Sequence, residues 1–166
     1  MNLTKWRPSL NVPKTPKNKA PFEFKVPEES PGFMLWQMKM AWQDALKKAL
    51  KLYNVSHIQH VILAILLWFE KSDEAPTQIA LSRMASLDKM SVSKALKSLE
   101  GRGYVKRYES ESDSRAKQME LTAKGRDLAN ILVPLVEKTD EVFFARLKGE
   151  ARKVFIQNMK LLGQQF

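Results

Sequence analysis

The chain has 166 residues, of which 44% are hydrophobic and 28% are charged, as in an ordinary globular protein. Its formal net charge of +10 favours an acidic partner, with nucleic acid the first candidate and an anionic membrane surface the second. The absence of cysteine excludes disulfides, thiolate metal sites and thiol-based redox sensing, and no apolar run reaches the eighteen or so residues of a membrane span.

Residues 1–31 hold six of the eight prolines and are rich in lysine, so we expect an extended basic arm and no regular helix. Prolines and lysines also interrupt the apolar core that a secretory signal needs, and we therefore expect a cytoplasmic protein. A basic arm can follow DNA phosphates. A solubilising tail or a strap around a partner subunit is the alternative that we favour.

A long helix is predicted over residues 33–53. Its main apolar seam has spacings that alternate between three and four: Leu35, Met38, Trp42, Ala45, Ala49 and Leu52. Further apolar residues, among them Trp36, Met40 and Leu46, fall outside this seam. The helix therefore has more apolar surface than one contact requires, and we expect it to meet another subunit or a ligand pocket as well.

Ser56 is a suitable cap for a helix over residues 57–69, which is apolar on every side and is therefore expected at the centre of the core. His57 and His60 have a spacing that could bind zinc, but no third ligand is evident. We interpret them as capping or core histidines and predict no metal and no cofactor. A set of large side chains could line a pocket for an aromatic effector, although ordinary core packing is the stronger explanation: Trp36, Met40, Trp42, His60 and Trp68.

Two short helices with a break near Ser86 are predicted over residues 77–85 and 89–102. Thr77 can cap the first helix, in which Ile79 and Leu81 are available for the core, and Asp88 can cap the second.

The second of these helices has two different faces. Val92, Leu96 and Leu99 share one side and are expected to be buried. The opposite side carries Met90, Ser91, Ser93, Lys94 and Lys97. Lysine can donate to guanine, hydroxyls can reach bases or phosphates, and methionine can touch a thymine methyl, so this face suits a DNA major groove. An ordinary amphipathic helix with a solvated face remains the alternative.

Two strand-like segments follow, over residues 104–109 and 117–121, and a polar loop joins them. Gly101 and Gly103 separate them from the preceding helix. Helix, turn, helix and hairpin together predict a winged helix-turn-helix in a mainly α fold with a small β-hairpin wing. An arginine on the loop, Arg115, could enter a minor groove.

Thr122 can cap a long helix that reaches to about residue 148, with a kink near Pro134, and a last helix is predicted over residues 151–162. Surplus apolar surface at both ends of the chain suggests terminal helices that intertwine across a two-fold axis. We therefore predict an arm (1–31), dimerisation helices (32–56 and 122–166) and a winged helix-turn-helix DNA-binding domain (57–121).

The segment LDKMSVSK at residues 87–94, with KSLEGRGYVKR at 97–107, resembles the MarR (multiple antibiotic resistance regulator) family of bacterial transcriptional regulators. The stretch from Asp113 to Gly125 matches the wing signature of that family, D-x-R-x(5)-L-T-x-x-G. The resemblance implies a homodimer joined by its terminal helices, a role for Asp113 in orienting Arg115, and a ligand pocket between the dimer and winged regions. It also implies repression at a promoter, relieved by a small anionic or aromatic ligand.

The sequence thus predicts a sequence-specific regulator, not an enzyme, that binds double-stranded DNA as a homodimer on a pseudo-palindromic operator. The predicted DNA-binding residues are Thr77, Gln78, Lys89, Met90, Ser91, Ser93, Lys94, Lys97, Arg107, Asp113, Arg115 and Lys117. Two alternatives remain: a non-specific DNA-coating protein, and a winged domain used for protein interaction. An interaction module has no need for both the face of Met90, Ser91, Lys94 and Lys97 and Arg115. A coating protein would show strong salt dependence with little sequence preference.

Overall fold

The computed structural model describes residues 21–71, 75–109 and 117–164. These residues form six α-helices and one two-stranded hairpin. In chain order they are α1 (Pro31–Lys51), α2 (His57–Phe69), α3 (Gln78–Ala85), α4 (Lys89–Gly101), β1 (Val105–Glu109), β2 (Lys117–Leu121), α5 (Ala123–Phe143) and α6 (Glu150–Gly163). A short 3-10 helix (Pro27–Glu29) precedes α1. The predicted fold class, mainly helical with a β-hairpin wing, is confirmed.

The helices of the winged domain begin where their caps predict. Ser56 accepts the backbone N–H of Gln59 at 3.2 Å, and the Gln59 side chain accepts the N–H of Ser56 at 2.8 Å, which completes a capping box at the start of α2. Thr77 accepts the N–H of Ala80 at 3.2 Å, and Asp88 accepts that of Ser91 at 2.8 Å. All three predicted caps are therefore confirmed.

The hairpin is antiparallel, with Val105 opposite Leu121 at one end and Glu109 opposite Lys117 at the other. Its second strand also contacts the chain before α3, because Met119 donates its N–H to the carbonyl of Pro76 at 3.0 Å. This contact couples the wing to the start of the helix-turn-helix. The tip of the wing, residues 110–116, lies outside the described residues, and so do the predicted Asp113 and Arg115.

The helices and the hairpin of the winged domain share one hydrophobic core. The predicted inner face of α4 is confirmed, since Val92, Leu96 and Leu99 are each 0% exposed. The other large side chains that are fully buried come from α1, α2, α3, β2 and α5: Leu46, Leu50, Ile62, Leu63, Leu81, Met119 and Leu132. Helix α2 supplies most of its length to this core, as predicted, although Trp68 near its end is exposed.

The core covers only part of the predicted apolar seam of α1: Trp42 packs against the core, and Ala45 and Ala49 are half-buried. Leu35 and Leu52 are exposed, whereas Leu46, which lies outside the predicted seam, and Leu50 are fully buried. Since α1 carries apolar residues on more than one side, its periodicity alone could not identify the stripe that the core covers. Ile79 is also exposed while Leu81 is buried, because residues two apart lie about 200° apart around a helix.

The end of the chain differs from prediction in one boundary. Thr122 caps α5 as expected, accepting the N–H of Gly125 at 3.0 Å, and the helix continues through Pro134. It ends at Phe143, however, about five residues early, because the chain turns there and Leu147 donates its N–H to Phe144 at 2.9 Å. Gly149, at φ +56°, then leads into α6.

The chain divides into two compact units. One comprises residues 40–143 and contains the winged helix-turn-helix. The other combines the residues up to 39 with those from 144 onward; within it Phe33 stacks on Trp36 at 6.1 Å, and Phe144 contacts Phe155 at 5.8 Å between ring centroids. No helix in the described ranges combines the length and apolar character needed to cross a membrane.

Candidate nucleic-acid interface

The N-terminal end of α4 is held by hydrogen bonds from two sides. Both carboxylate oxygens of Asp88 accept from Ser91, one from its backbone N–H at 2.8 Å and the other from its hydroxyl at 2.7 Å. Both hydrogen bonds lower the pKa of Asp88, and the bond from the hydroxyl has the larger effect. The Gln78 amide at the start of α3 donates to the Lys89 carbonyl at 3.4 Å. The first turns of α3 and α4 therefore meet at one point.

The exposed face of α4 is the one predicted from its sequence. Met90 is 80% exposed, and Lys94 and Lys97 are exposed one and two turns farther along. Ser91 and Ser93 are half-buried at the margins of this face. Two lysines, two hydroxyls and a thioether thus lie on a helix whose opposite side is dry, which is the surface composition that major-groove readout uses.

The C-terminal end of α4 is clamped to the turn between α1 and α2. Arg102 donates to the carbonyls of Asn54 at 2.7 Å and Tyr53 at 3.3 Å, while its guanidinium lies over the Tyr104 ring at 4.9 Å. Gln59 on α2 donates to the Ser98 hydroxyl at 2.9 Å. Helix α4 is consequently fixed at both ends, and its exposed face has a defined orientation.

The remaining predicted DNA-binding residues occupy different positions. Thr77 lies at the start of α3, where its hydroxyl already caps the helix. Lys117 is exposed at the first position of β2. Arg107 stands apart from the exposed face, since its side chain is only 23% exposed and its Nε lies 3.1 Å from a Glu100 carboxylate oxygen. The structure thus brings together the residues at the starts of α3 and α4 and turns Arg107 toward α4.

Two acidic partners of the wing were missed by the sequence reasoning. Glu120 pairs with Lys106, which lies directly opposite it in the hairpin register, and Glu100 pairs with Arg107. The first pairing is predictable from sequence, because counting residue pairs along both strands from the predicted loop places Lys106 opposite Glu120. The second joins a helix to a strand and left no signal in the local pattern.

A cleft of about 660 Å³ lies beside the C-terminal end of α4. Its cationic lining residues are Lys47 and Lys51 from α1 and Arg102. The other residues that line it are Gln43, Asn54, Val55, Ser56, His57, Gln59 and Ser98, so none of the described lining residues is acidic. Such a lining can attract a carboxylate or phosphate group.

A larger cleft of about 730 Å³ lies behind the wing, where the end of α2, the hairpin and the start of α5 meet. It contains both charges of two ion pairs. Arg126 donates from Nε to both carboxylate oxygens of Glu70 at 3.0 and 2.8 Å, and Lys106 pairs with Glu120. Because these charges satisfy one another, this cleft has no surplus charge to attract an anion.

The residues predicted to line an effector pocket are only partly brought together. Trp42 donates to Asp140 at 2.7 Å and meets the edge of His57 at 5.1 Å, and His57 stacks on His60 at 6.5 Å between ring centroids. The exposed Trp68 lies near the other end of α2, under the ammonium of Lys71 at 5.1 Å. Met40 is also exposed, and Trp36 belongs to the other compact unit.

His60 is the one buried polar residue among those described in the core, at 6% exposure, and its Nδ1 has no hydrogen-bond partner there. Burial, and next the neighbouring His57, lower its pKa to about 4. It is therefore a neutral core histidine at physiological pH, in line with the interpretation made from sequence. No three described histidine, aspartate or glutamate side chains are arranged to hold a metal ion.

Comparisons with known proteins agree with this geometry. Residues 51–138, more than half of the chain, match the family model of the ArnR1-like winged-helix domain. The HTH-type transcriptional regulator YdcH of Bacillus subtilis is 34% identical over 123 residues, which are 74% of this chain and 84% of that protein.

Solved structures share the fold at lower identity. BpsR of Bordetella bronchiseptica, whose DNA binding is regulated by 6-hydroxynicotinic acid, has a TM-score of 0.75 at 19% identity and covers 87% of this chain and 98% of its own. MepR of S. aureus, solved as a complex with DNA, has a TM-score of 0.76 at 17% identity, with 82% and 98% covered. Both are MarR family regulators. With a matching family model over more than half of its residues and a transcriptional regulator aligned over most of its length, the chain belongs to the ArnR1-like winged-helix family of transcriptional regulators, which are not enzymes, and it shares the fold of MarR family regulators.

Proposed function

We propose that this regulator is a sequence-specific repressor that binds a pseudo-palindromic operator as a homodimer. The observation that carries the proposal is the exposed face of α4, with Met90, Lys94 and Lys97 in solvent and both helix ends fixed. A rigid helix of this composition suits a major groove, and the half-sites are expected about 10 bp apart. The fold it shares with MepR, which is known in complex with DNA, supports the same mode.

The homodimer is proposed because apolar side chains remain uncovered on the terminal helices. In α6, Val154, Met159, Leu161 and Leu162 are all exposed, and so are Leu35 and Trp36 of α1. Apolar surface of this extent is characteristic of a protein interface. Residues 32–56 and 122–166 are accordingly proposed as the dimerisation region, with residues 57–121 as the DNA-binding domain.

The wing is proposed to reach the adjacent minor groove through Arg115, with Asp113 orienting it. This step rests on the sequence of the loop and on the resemblance to the MarR family's wing signature. The described residues support it through two contacts. Met119 of β2 donates to Pro76 just before α3, and Gln78 at the start of α3 donates to Lys89 at the start of α4, so the wing has a fixed position relative to α4.

The test is selection of bound sequences from a random duplex library at near-physiological salt. Wild type, Arg115→Ala and Lys97→Ala are compared with Lys48→Ala, an exposed lysine of α1 that is paired with Asp44. We expect an inverted repeat for wild type and Lys48→Ala, and weaker binding for the other two. Equal retention of all four proteins with no enriched motif would refute specific regulation and favour DNA coating driven by the net charge of +10.

A small anionic effector is proposed to release the DNA. The proposal of an anion is supported by the cationic cleft that Lys47, Lys51 and Arg102 line. Arg102 connects that cleft to the C-terminal end of α4. BpsR provides a precedent, because an acid regulates its DNA binding. An aromatic acid could also contact the cluster of Trp42, His57 and His60.

The effector is tested by adding salicylate, and separately inorganic phosphate, to the protein bound to its selected operator. We expect one of them to weaken DNA binding and raise the melting temperature of the free protein, and Lys47→Gln/Lys51→Gln to lose both responses. If neither anion changes binding or melting of the wild type, the proposal of a simple anionic effector is wrong.

A further inference from the structure

Ser91 lies in the first turn of α4 with its hydroxyl already engaged. The hydroxyl donates its hydrogen to one oxygen of Asp88 at 2.7 Å, while the other oxygen of the same carboxylate accepts the Ser91 backbone N–H at 2.8 Å. A serine hydroxyl has one hydrogen to donate and two lone pairs to accept with. With its hydrogen committed to Asp88, Ser91 has only lone pairs left for a third group.

The engagement is a strong one. A carboxylate acceptor makes a hydrogen bond roughly twice as strong as a neutral acceptor does, so transferring the Ser91 hydrogen to a base carbonyl would exchange a stronger bond for a weaker one. An aspartate carboxylate is ionised at neutral pH, and the two hydrogen bonds from Ser91 lower the pKa of Asp88 further. An ionised carboxylate cannot reverse the bond by donating.

We infer that Asp88 is a positioning residue that fixes the Ser91 hydroxyl as an acceptor, so that Ser91 selects a base with an exocyclic amino group. In the major groove those groups are the N4 amine of cytosine and the N6 amine of adenine. Guanine O6 and N7, thymine O4 and phosphate oxygens are all acceptors, and an acceptor-only hydroxyl cannot pair with them. The adjacent negative charge of Asp88 disfavours phosphate further.

This inference rests on the proposed insertion of α4 into the major groove and deepens it, because it assigns a base class to one side chain. Ser93 provides the contrast within the same turn. No hydrogen bond is found for its hydroxyl among the described residues, so Ser93 can donate or accept and is expected to discriminate less.

The experiment compares the selected operators of wild type, Ser91→Ala, Ser93→Ala and Asp88→Asn. The position at which Ser91→Ala loses its preference identifies the base that Ser91 contacts. Asparagine caps helices about as well as aspartate, so Asp88→Asn is expected to keep the fold, which thermal melting checks. Its amide NH₂, however, donates to the serine oxygen and frees the serine hydrogen for a base.

At the contacted position we expect wild type to favour cytosine or adenine about fivefold over guanine or thymine, and Asp88→Asn to favour guanine or thymine instead. Ser93→Ala should leave this position unchanged. An inverted repeat whose bases are the same for wild type, Ser91→Ala and Asp88→Asn overturns this inference and leaves the proposed function standing. Failure of the wild type to select any motif refutes both.

Discussion

Gly125 packs so closely against the carbonyl group of Tyr104 that a β-carbon at residue 125 would overlap it. The contact joins the first turn of α5 to the residue before β1. It is reinforced by Thr122, which donates its N–H to the same Tyr104 carbonyl at 3.0 Å and its hydroxyl to the carbonyl of Gly103 at 2.7 Å. The residues just before β1 and the first turn of α5, which follows β2, are therefore held together.

Gly125→Ala is expected to destabilise the fold, because its methyl group would meet rigid backbone and the first turn of α5 would have to move. Overpacking of this kind costs about 1–3 kcal/mol of unfolding free energy, to be measured by urea denaturation. The control is Gly101→Ala at the end of α4, where nothing lies within 4 Å of an added β-carbon. That variant should be neutral or slightly stabilised. Equal losses at both sites would contradict the close approach at Gly125.

Local signals were sufficient to predict most of the winged domain. The caps at Ser56, Thr77 and Asp88 gave correct helix starts, because a cap depends on residues within three positions of itself. The buried face of α4 followed from spacing alone. The stripe of α1 that the core covers and the pairing of Arg107 with Glu100 could not be predicted, because each depends on a neighbour distant in sequence or from another element.

The candidate site likewise has features that the local sequence predicts and features that only the folded structure shows. The composition of the exposed α4 face was evident in the sequence, and so was the capping role of Asp88. The orientation of the Ser91 hydroxyl was not, because it depends on a hydrogen position that only the geometry of the folded cap determines. The basic cleft was also missed, since Lys47 and Arg102 are far apart in the chain.

The hydrogen bond from the Trp42 indole to Asp140 joins α1 to α5 across 98 positions of sequence. Trp42→Phe removes the donor, leaves a half-buried carboxylate without it and reduces packing, and it should cost about 1–3 kcal/mol of unfolding free energy in urea. Asp140→Asn keeps an oxygen that can accept the indole N–H. It should therefore cost clearly less than Trp42→Phe, and a larger loss for Asp140→Asn would show that the carboxylate charge matters more than the bond.

His60 should make the protein sensitive to mild acid. Burial lowers its pKa from 6.5 to about 4 in the folded state. Between these values the unfolded chain binds a proton that the folded chain does not, so stability falls as the pH decreases from about 6.5 to 4 and is unaffected by His60 above 6.5. Over that range the loss is about 2–3 kcal/mol.

The measurement is urea denaturation of wild type and His60→Leu from pH 8 to pH 4. Leucine cannot titrate, so the difference in unfolding free energy should be constant above pH 7 and should increase in favour of the variant as the pH falls. His57 also has a pKa lowered by burial, so part of the acid dependence should persist in the variant. Parallel pH profiles for the two proteins would show that His60 titrates normally in the folded state.

Lys97 offers a test of both the DNA contact and the dimer. Each phosphate neutralised by a lysine contributes about −0.9 to the slope of log K against log salt concentration, and a homodimer presents every lysine twice. If Lys97 contacts phosphate, Lys97→Ala should therefore make the slope shallower by about 1.8, with a similar loss of affinity for operator and random DNA. A contact with guanine would instead relax the base preference at one position of each half-site.

Lys48→Ala removes the same charge from a lysine paired with Asp44 on α1 and should leave the slope unchanged. If Lys97→Ala binds with the slope and the base preference of wild type, then Lys97 contacts neither a phosphate nor a base.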